Sequence, residues 1–267
     1  MSQPPTALTR AVDASLARIG AGPAGPERLE AQLRQLAKWR ATVLANTLVA
    51  KGYTKVTHGP FAGMDYAGAA AEGGQAPRLL GVYEASLHPV IEQVIARGWP
   101  QILDIGCAEG YYAVGLAREM PGSIVHARDS DPVARDLCAA LARANGVEDR
   151  VRIGGAVAHA DFAICEAAPT FILCDIEGAE GALLDPALAP GLARADLLVE
   201  VHEGMQPGLV VLLTDRFADT HRITRIDRAL RPDLLPAWAD QLSDLDRLLL
   251  LWEWRATPTP WLWMECR

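Results

Sequence analysis

The run QILDIGCAEGYYAVGLA, residues 101–117, constrains the fold of this chain more than any other segment. It begins with a short apolar stretch typical of a buried strand, passes Asp104, and enters a turn bracketed by Gly106 and Gly110. Glycine lets the backbone approach a ligand closely, and the first turn of a helix offers free N–H donors. The run therefore predicts a strand, a turn and a helix that together hold a nucleotide-like cofactor.

The pattern after residue 100 predicts an α/β domain. Short apolar stretches alternate with helical spacing, which is typical of a mostly parallel sheet covered by helices on both faces. We expect a doubly wound, seven-stranded sheet over residues 99–267, behind an N-terminal helical extension over residues 1–98. The predicted strands lie near 101–105, 123–128, 151–154, 170–175, 196–202, 221–227 and 248–254, with helices near 110–119, 131–145, 180–184, 206–217 and 237–246.

The N-terminal extension combines helical segments with one glycine-rich loop. Helical spacing is predicted over 6–19, from Glu27 to Gly52, and over 79–98. Long loops inside compact proteins are usually functional or mobile. The loop over residues 57–77, which contains His58, Phe61 and Met64, is therefore predicted to be either a lid over the site or a mobile surface loop, and we expect the extension to set substrate choice.

Composition narrows the class of protein and its partners. The chain has 267 residues, a net charge of -8 and no cluster of Lys and Arg, so it is a poor candidate for binding nucleic acid. No apolar run approaches the roughly 18 residues that a membrane span needs. The five cysteines show no paired spacing and the N-terminus does not resemble a secretory signal. We expect a soluble, cytoplasmic protein that acts on a small molecule.

Tryptophans are concentrated near the C-terminus. Trp252, Trp254, Trp261 and Trp263 occur in two alternating pairs, as strand residues do. We expect them to cap one end of the sheet or to form a homodimer contact, because burial is the common use of aromatic side chains. Stacking against a substrate is the alternative.

The glycine turn distinguishes between two cofactors. A dinucleotide turn reads G-x-G-x-x-G and places a pyrophosphate at the helix N-terminus. Here the turn reads D-x-G-x-x-x-G, with Cys107 and Glu109 inside it and Tyr111 opening the helix. A carboxylate at Glu109 disfavours a pyrophosphate, whereas it suits the cationic ammonium and sulfonium groups of S-adenosylmethionine. We therefore predict S-adenosylmethionine rather than NAD.

The second and third predicted strands supply further cofactor contacts. Asp129 follows the second strand, with Ser130 beside it, and a carboxylate there can accept from both ribose hydroxyls. This device also serves NAD, so Asp129 indicates only an adenosyl ribose. Gly155 and Ala156 follow the third strand and would leave room for an adenine ring, although a plain tight turn explains them equally well.

Three segments together resemble one enzyme family. DIGCAEGYYAVGLA, the acid of HARDSDP and the run ILCDIEGAEGALL are similar to class I S-adenosylmethionine-dependent methyltransferases, over about residues 79–255. The D-x-E-G-x-E run at Asp175–Glu180 and the E-x-H run at Glu200–His202 resemble the FkbM-type group. The resemblance implies methyl transfer, usually to a hydroxyl oxygen of a sugar, polyketide or other specialised metabolite.

The ends of the fourth and fifth strands form the predicted reaction centre. His202 is the candidate general base, and Asp175 and Glu177 are candidate catalytic carboxylates. Asp175, Glu200 and His202 would also suit a divalent metal such as Mg, Mn or Fe, which would lower the pKa of the acceptor hydroxyl. Without a metal, catalysis would depend on proximity and one base.

Further assignments complete these expectations. Glu84 is predicted to reach the ammonium of the cofactor, Glu200 to orient His202, and Glu180 to be structural. Two other functions stay open, an NAD-dependent oxidoreductase and a non-catalytic cofactor-binding or assembly protein, because a fold does not prove an activity.

Overall fold

The computed structural model describes residues 6–66, 74–255 and 257–267. Its α-helices are α1 (Ala7–Gly20), α2 (Pro26–Ala50), α3 (Gln75–Leu80), α4 (His88–Arg97), α5 (Tyr111–Glu119), α6 (Pro132–Ala144), α7 (Ile164–Ala167), α8 (Glu180–Leu183), α9 (Leu209–Phe217) and α10 (Asp244–Leu250). The strands are β1 (Gln101–Ile105), β2 (Ile124–Arg128), β3 (Val151–Gly154), β4 (Thr170–Cys174), β5 (Asp196–Glu200), β6 (His221–Ile226) and β7 (Trp261–Cys266). Short 3₁₀ turns lie at Ala85–Leu87, His159–Ala163, Pro190–Arg194, Pro232–Leu234 and Ala237–Gln241.

The strands form one seven-stranded sheet in the order β3-β2-β1-β4-β5-β7-β6. β1 to β5 pair in parallel, and β7 runs antiparallel between β5 and β6. The chain order reverses direction at β1, so the carboxyl ends of β1 and its neighbours open a crevice of the kind where doubly wound sheets bind ligands. The predicted fold class, a doubly wound and mostly parallel seven-stranded sheet, is confirmed.

Each face of the sheet carries its own apolar core. Along β1, Ile102 packs into one cluster of buried residues, while Leu103 and Ile105 pack into the other. This alternation follows from the two-residue period of a strand. Because both faces are covered, the sheet's ligands can approach only from the strand ends.

The N-terminal segment covers one of these faces. Leu44 and Leu48 of α2 and Ile91 of α4 belong to the same buried cluster as Ile102. Phe61 and Met64, which we expected in a lid, are 2% and 0% exposed, so these side chains are part of the core. The predicted lid residues 67–73 lie outside the described residues, and the division into 1–98 and 99–267 stays a prediction.

The end of the sheet differs from the sequence prediction. The strand expected over 248–254 is wrong, because α10 ends at Leu250 and an irregular segment follows it. The last strand is Trp261–Cys266 instead. Trp261 and Trp263 are buried in the sheet core, as expected of capping aromatics, whereas Trp254 lines the cavity described below.

In the ranges that the structure describes, no helix is both long enough and apolar enough to span a membrane.

Candidate active site

A cavity of about 1080 Å³ lies at the carboxyl ends of β1, β2, β4 and β5. Most of the predicted cofactor residues line it: Asp104, Gly106, Cys107, Glu109, Tyr111, Asp129, Ser130, Ala156 and Asp175. The predicted catalytic residues Glu177, Glu200 and His202 line it as well. Gly110, Gly155 and Glu84 are not part of its lining. The structure therefore brings most of the predicted site residues together at one cavity, at the ends of parallel strands.

The glycine turn is held tightly between two strands. Gly106 has φ +83°, and a Cβ there would lie 1.7 Å from the carbonyl oxygen of Asp175. The N–H groups of Gly106 and Cys107 donate to the carbonyl of Arg128, at 2.8 and 3.0 Å. Only glycine fits position 106, because both the backbone angle and the close approach exclude a side chain.

Asp129 faces the turn from the end of β2. Its carboxylate accepts from the N–H of Ala108 at 2.9 Å and from the N–H of Asp131 at 2.8 Å. Each oxygen keeps a second lone pair for a further donor. Both small residues after β3, Gly155 and Ala156, are exposed, and only Ala156 of the two lines the cavity.

Asp104 is buried at the end of β1 with both carboxyl oxygens unpaired. Its side chain is almost fully enclosed, and in the part of the chain that the structure describes neither oxygen has a hydrogen-bond partner. Burial raises the pKa of Asp104 to about 8, and the nearby charges of Asp175 and Asp129 add to the shift. A buried acceptor pair left unsatisfied costs free energy, so Asp104 is suited to a ligand that brings hydrogen-bond donors and positive charge.

Glu109 has partners that the sequence did not reveal. Its Oε1 accepts a 2.5 Å hydrogen bond from the hydroxyl of Tyr66 and lies 3.0 Å from Nε of the buried Arg78. Tyr66 and Arg78 therefore already compensate much of the negative charge of Glu109, which we expected to face the cationic groups of the cofactor. Arg78 comes from α3, 31 positions earlier in the chain (109 − 78), and no motif signalled it.

Aromatic side chains enclose the turn from the side of the N-terminal segment. The ring of Tyr111 makes edge contacts with Phe61, Tyr66 and Tyr83 at centroid distances of 5.4 to 5.7 Å. Burial raises the pKa values of Tyr66, Tyr83 and Tyr111 above their ordinary value, so their hydroxyls stay protonated. This wall of rings restricts water at the turn.

Cys107, inside the turn, carries a protonated thiol. A hydrogen bond with Cys138 and burial raise its pKa far above the usual range for a thiol. Cys107 therefore offers the cavity a neutral, weakly polar surface and no nucleophile.

The Glu84 carboxylate is held by other side chains of the protein, and Glu84 is not among the residues that line the cavity. Its carboxylate accepts from the hydroxyl of Tyr112 at 2.5 Å and from Arg255, and its backbone N–H donates to Glu253 at 3.0 Å. Arg255 also pairs with Glu200. Sequence reasoning missed Arg255 because it lies in the irregular segment before β7, 55 positions after Glu200 (255 − 200).

His202 follows β5 and is held by Glu180. Its Nδ1 lies 2.7 Å from Oε1 of Glu180, while Glu200 Oε2 is 3.9 Å from Nε2. The expectation that Glu200 orients the imidazole is therefore wrong: Glu180 does so, and its fully buried side chain keeps the ring in place. We expected Glu180 to be structural, and its contact with His202 could not be inferred from the sequence.

The Nε2 of His202 faces the cavity among carboxylates. It lies 3.4 Å from Oε2 of Glu177 and 3.6 Å from Oδ1 of Asp175. Burial alone would lower the pKa of His202, but the hydrogen bond with Glu180 and the charges of the three nearby acids outweigh burial and raise it. Burial also raises the pKa of Asp175, to about 7, and Glu84 adds to that shift.

The ligand atoms of Asp175, Glu200 and His202 all lie within 4.8 Å of one another. Two carboxylate oxygens and one imidazole nitrogen form a donor set that suits Mg, Mn or Fe. We call the carboxylates of Asp104, Asp129, Asp175 and Glu200 the acidic floor of the cavity.

Comparison with known proteins finds similar solved structures but no match to a family model or a curated protein. The O-methyltransferase from Bacillus cereus in complex with SAH is 15% identical, with a TM-score of 0.43 over 66% of this chain and 79% of that chain. The O-methyltransferase TomG from Streptomyces achromogenes, in complex with SAM, is 14% identical, with a TM-score of 0.43 over 70% of this chain and 89% of that chain. Cofactor-bound Rv0187 from MTB is 14% identical, with a TM-score of 0.43 over 98% of both chains. Likeness at this level carries no argument about function, which has to be inferred from the residues of the site.

Proposed function

We propose that this protein binds S-adenosylmethionine and transfers its methyl group to a hydroxyl oxygen of a small molecule. The observation that carries the proposal is Asp104, a cavity-lining residue directly before the glycine turn whose two carboxyl oxygens are buried and unpaired among the described residues. A buried acceptor pair of this kind is matched by an ammonium group, which brings three donors and a positive charge.

The remaining cofactor contacts fit the same ligand. Asp129 would accept from the ribose hydroxyls, and Ala156 would border the adenine. When bound, S-adenosylmethionine supplies a methyl group that is already strongly electrophilic. A dinucleotide fits less well, because its pyrophosphate would lie against the carboxyl groups of Asp104 and Asp129.

His202 is the proposed proton acceptor. Nε2 of His202 would accept the hydroxyl proton of the acceptor as its oxygen takes the methyl group, and the electron pair of the sulfur–carbon bond would remain on the sulfur of the cofactor. Glu180 at Nδ1 stabilises the imidazolium that forms, just as a buried carboxylate does in other His-dependent sites. Asp175 and Glu177 stand close enough to Nε2 to orient the hydroxyl.

A divalent metal ion at the reaction centre is a separate proposal. Asp175, Glu200 and His202 would hold a divalent ion, which would lower the pKa of the acceptor hydroxyl and fix its position. His202 would then be a ligand and could not serve as the base. Activity that survives prolonged chelation with EDTA, with no Mn²⁺ binding by calorimetry, would exclude the metal and favour the base.

The experiment that tests the function uses purified protein and labelled cofactors. We expect equilibrium dialysis to show retention of S-adenosylmethionine and no retention of NAD, and we expect the methyl label to reach hydroxylated small molecules in a mixed panel. Retention of NAD instead would support the oxidoreductase alternative. Tight binding of S-adenosylmethionine without any transfer would support a non-catalytic role. The FkbM-type subgroup stays a prediction based on the D-x-E-G-x-E run.

A further inference from the structure

Two cations of α2 lie at the mouth of the cavity. Arg34 and Lys38 are four positions apart, so they share one face of the helix, and both line the cavity. Arg34 donates to the backbone carbonyl of Trp254 and, at 3.4 Å, to that of Arg255. These bonds fix the helix against the segment before β7. We call Arg34, Lys38 and Trp254 the basic rim.

Lys38 has a free ammonium group. Its Nζ lies 4.9 Å from the centre of the Trp254 ring, and among the described residues it has no hydrogen-bond or ion-pair partner. Burial and the charge of Arg34 lower the pKa of Lys38, so the site holds two like charges at a cost. An anion placed between the two cations would remove that cost.

Trp254 gives a second, independent indication of a ligand. Its backbone has φ +66°, a region that a bulky residue rarely adopts, and Arg34 holds its carbonyl. Its indole Nε1 is buried and has no hydrogen-bond partner in the ranges that the structure describes. A buried indole N–H usually finds an acceptor, and Trp254, which lines the cavity, lacks one among the described residues.

The floor and the rim suit ligands of opposite charge, the cofactor and the methyl acceptor. The floor carries carboxyl groups that suit a cationic cofactor, whereas the rim carries two cations, in a chain whose net charge is -8. We propose that the methyl acceptor is a hydroxylated molecule with an anionic group, a carboxylate or a phosphate monoester, which Lys38 and Arg34 bind at the rim beside Trp254. This inference rests on the proposed methyl transfer only for the role of the ligand as acceptor.

Matched pairs of small probes test the inference by direct binding. Calorimetry compares 3-hydroxybenzoate with the neutral 3-hydroxybenzamide, and phenyl phosphate with phenol, on wild-type protein with and without S-adenosylhomocysteine. The two pairs separate carboxylate from phosphate as the preferred group. We expect at least one anionic member to bind about tenfold more tightly than its neutral partner, the scale of one charge-assisted contact.

Variants locate the preference at the rim. Lys38→Met should reduce it at least threefold, and Lys38→Arg should keep most of it. The matched control is Lys51→Met, since Lys51 Nζ also lies over a tryptophan ring, at 5.0 Å from the centre of Trp238, but does not line the cavity. This control should bind like the wild type.

Several results would overturn the inference. Equal binding of anionic and neutral members, no binding of either anion at millimolar concentration, or a preference that survives Lys38→Met would each do so. Failure of the proposed function looks different, because S-adenosylmethionine would then not be retained while the anionic preference at the rim persists.

Discussion

The acidic floor and the basic rim of one cavity differ in charge and in how the chain assembles them. The floor collects acids from the ends of four neighbouring strands, each next to a recognisable turn or motif. The rim joins α2 to the segment before β7, more than 200 positions later, as the hydrogen bond from Arg34 to Trp254 illustrates. Under the proposed function, the two ends would discriminate two ligands by charge, and each end is built by a separate part of the chain.

Opposite charges at the two ends would also restrict where in the cavity each of the two ligands binds. Inside a partly enclosed cavity, charges are screened less than on the open surface, so a cation is drawn toward the floor and an anion toward the rim. The reacting groups would then meet near His202, which contacts Asp175 and Glu200 of the floor. Variants that alter one end and spare the other can break or sharpen this comparison.

The largest effect is expected from Gly106→Ala, which disrupts the floor. The new Cβ would meet the Asp175 carbonyl oxygen at 1.7 Å and force a positive φ on alanine. We expect a loss of several kcal/mol in unfolding free energy, about 3 or more by the scale of such backbone clashes, and no retained cofactor. Gly155→Ala is the matched control, because a Cβ there has nothing within 4 Å. Equal melting temperatures for the two variants would contradict the tight turn.

His202→Ala should leave both ends intact and remove the proton acceptor between them. We expect turnover of the acceptor found in the labelled panel to fall by about 10² to 10⁴, the usual contribution of a general base. Cofactor retention and the anionic preference at the rim should stay unchanged. His126→Ala serves as control, since His126 bonds Gln101 at 2.8 Å and lies outside the cavity. Full activity of the His202 variant would remove it as the base.

Asp129→Ala should weaken the floor alone. It loses the acceptor for two ribose hydroxyls, and we expect cofactor affinity to fall by about 10- to 100-fold by calorimetry. Probe binding at the rim should not change. Asp136→Ala, an exposed acid on α6, is the control and should bind normally. Unchanged affinity of the Asp129 variant would exclude its ribose contact.

Asp104→Asn tests whether the buried carboxyl of Asp104 lowers the stability of the ligand-free protein while strengthening cofactor binding. The folded protein raises the pKa of Asp104 to about 8 from 3.8, so the native state holds a proton that the unfolded chain has lost between those values. Stability of the ligand-free protein therefore decreases as pH rises from about 4 to about 8 through this group. At pH 8 the variant should melt about 2–4 °C above the wild type, the effect of about 1 kcal/mol in a chain of this size, and the gain should shrink at pH 5. Scanning calorimetry at both pH values, together with weaker cofactor binding, checks this. A variant that melts lower than the wild type at pH 8 contradicts it.

Several elements were predictable because their signals are local. The strand at β1, the glycine turn and the helix after it follow from apolar runs and glycine spacing, and Asp129 follows from its position after β2. The strand predicted over 248–254 failed because four consecutive leucines look alike in a strand and in the helix α10, and periodicity cannot separate the two over so short a run. Phe61 and Met64 were assigned to a lid because glycines around them suggested a surface loop, whereas their burial depends on the rings of α5.

The sequence by itself determined the α/β class, the cofactor turn and the acids at the strand ends, because strand periodicity and turn chemistry are set by residues adjacent in the chain. Tertiary structure decided the partners: Arg78 for Glu109, Glu180 for His202, Arg255 for Glu84 and Glu200, and the rim formed by Arg34, Lys38 and Trp254. Charge pairing across dozens of positions leaves no periodic trace in a single sequence. It exists only once packing brings the side chains within a few ångströms of each other.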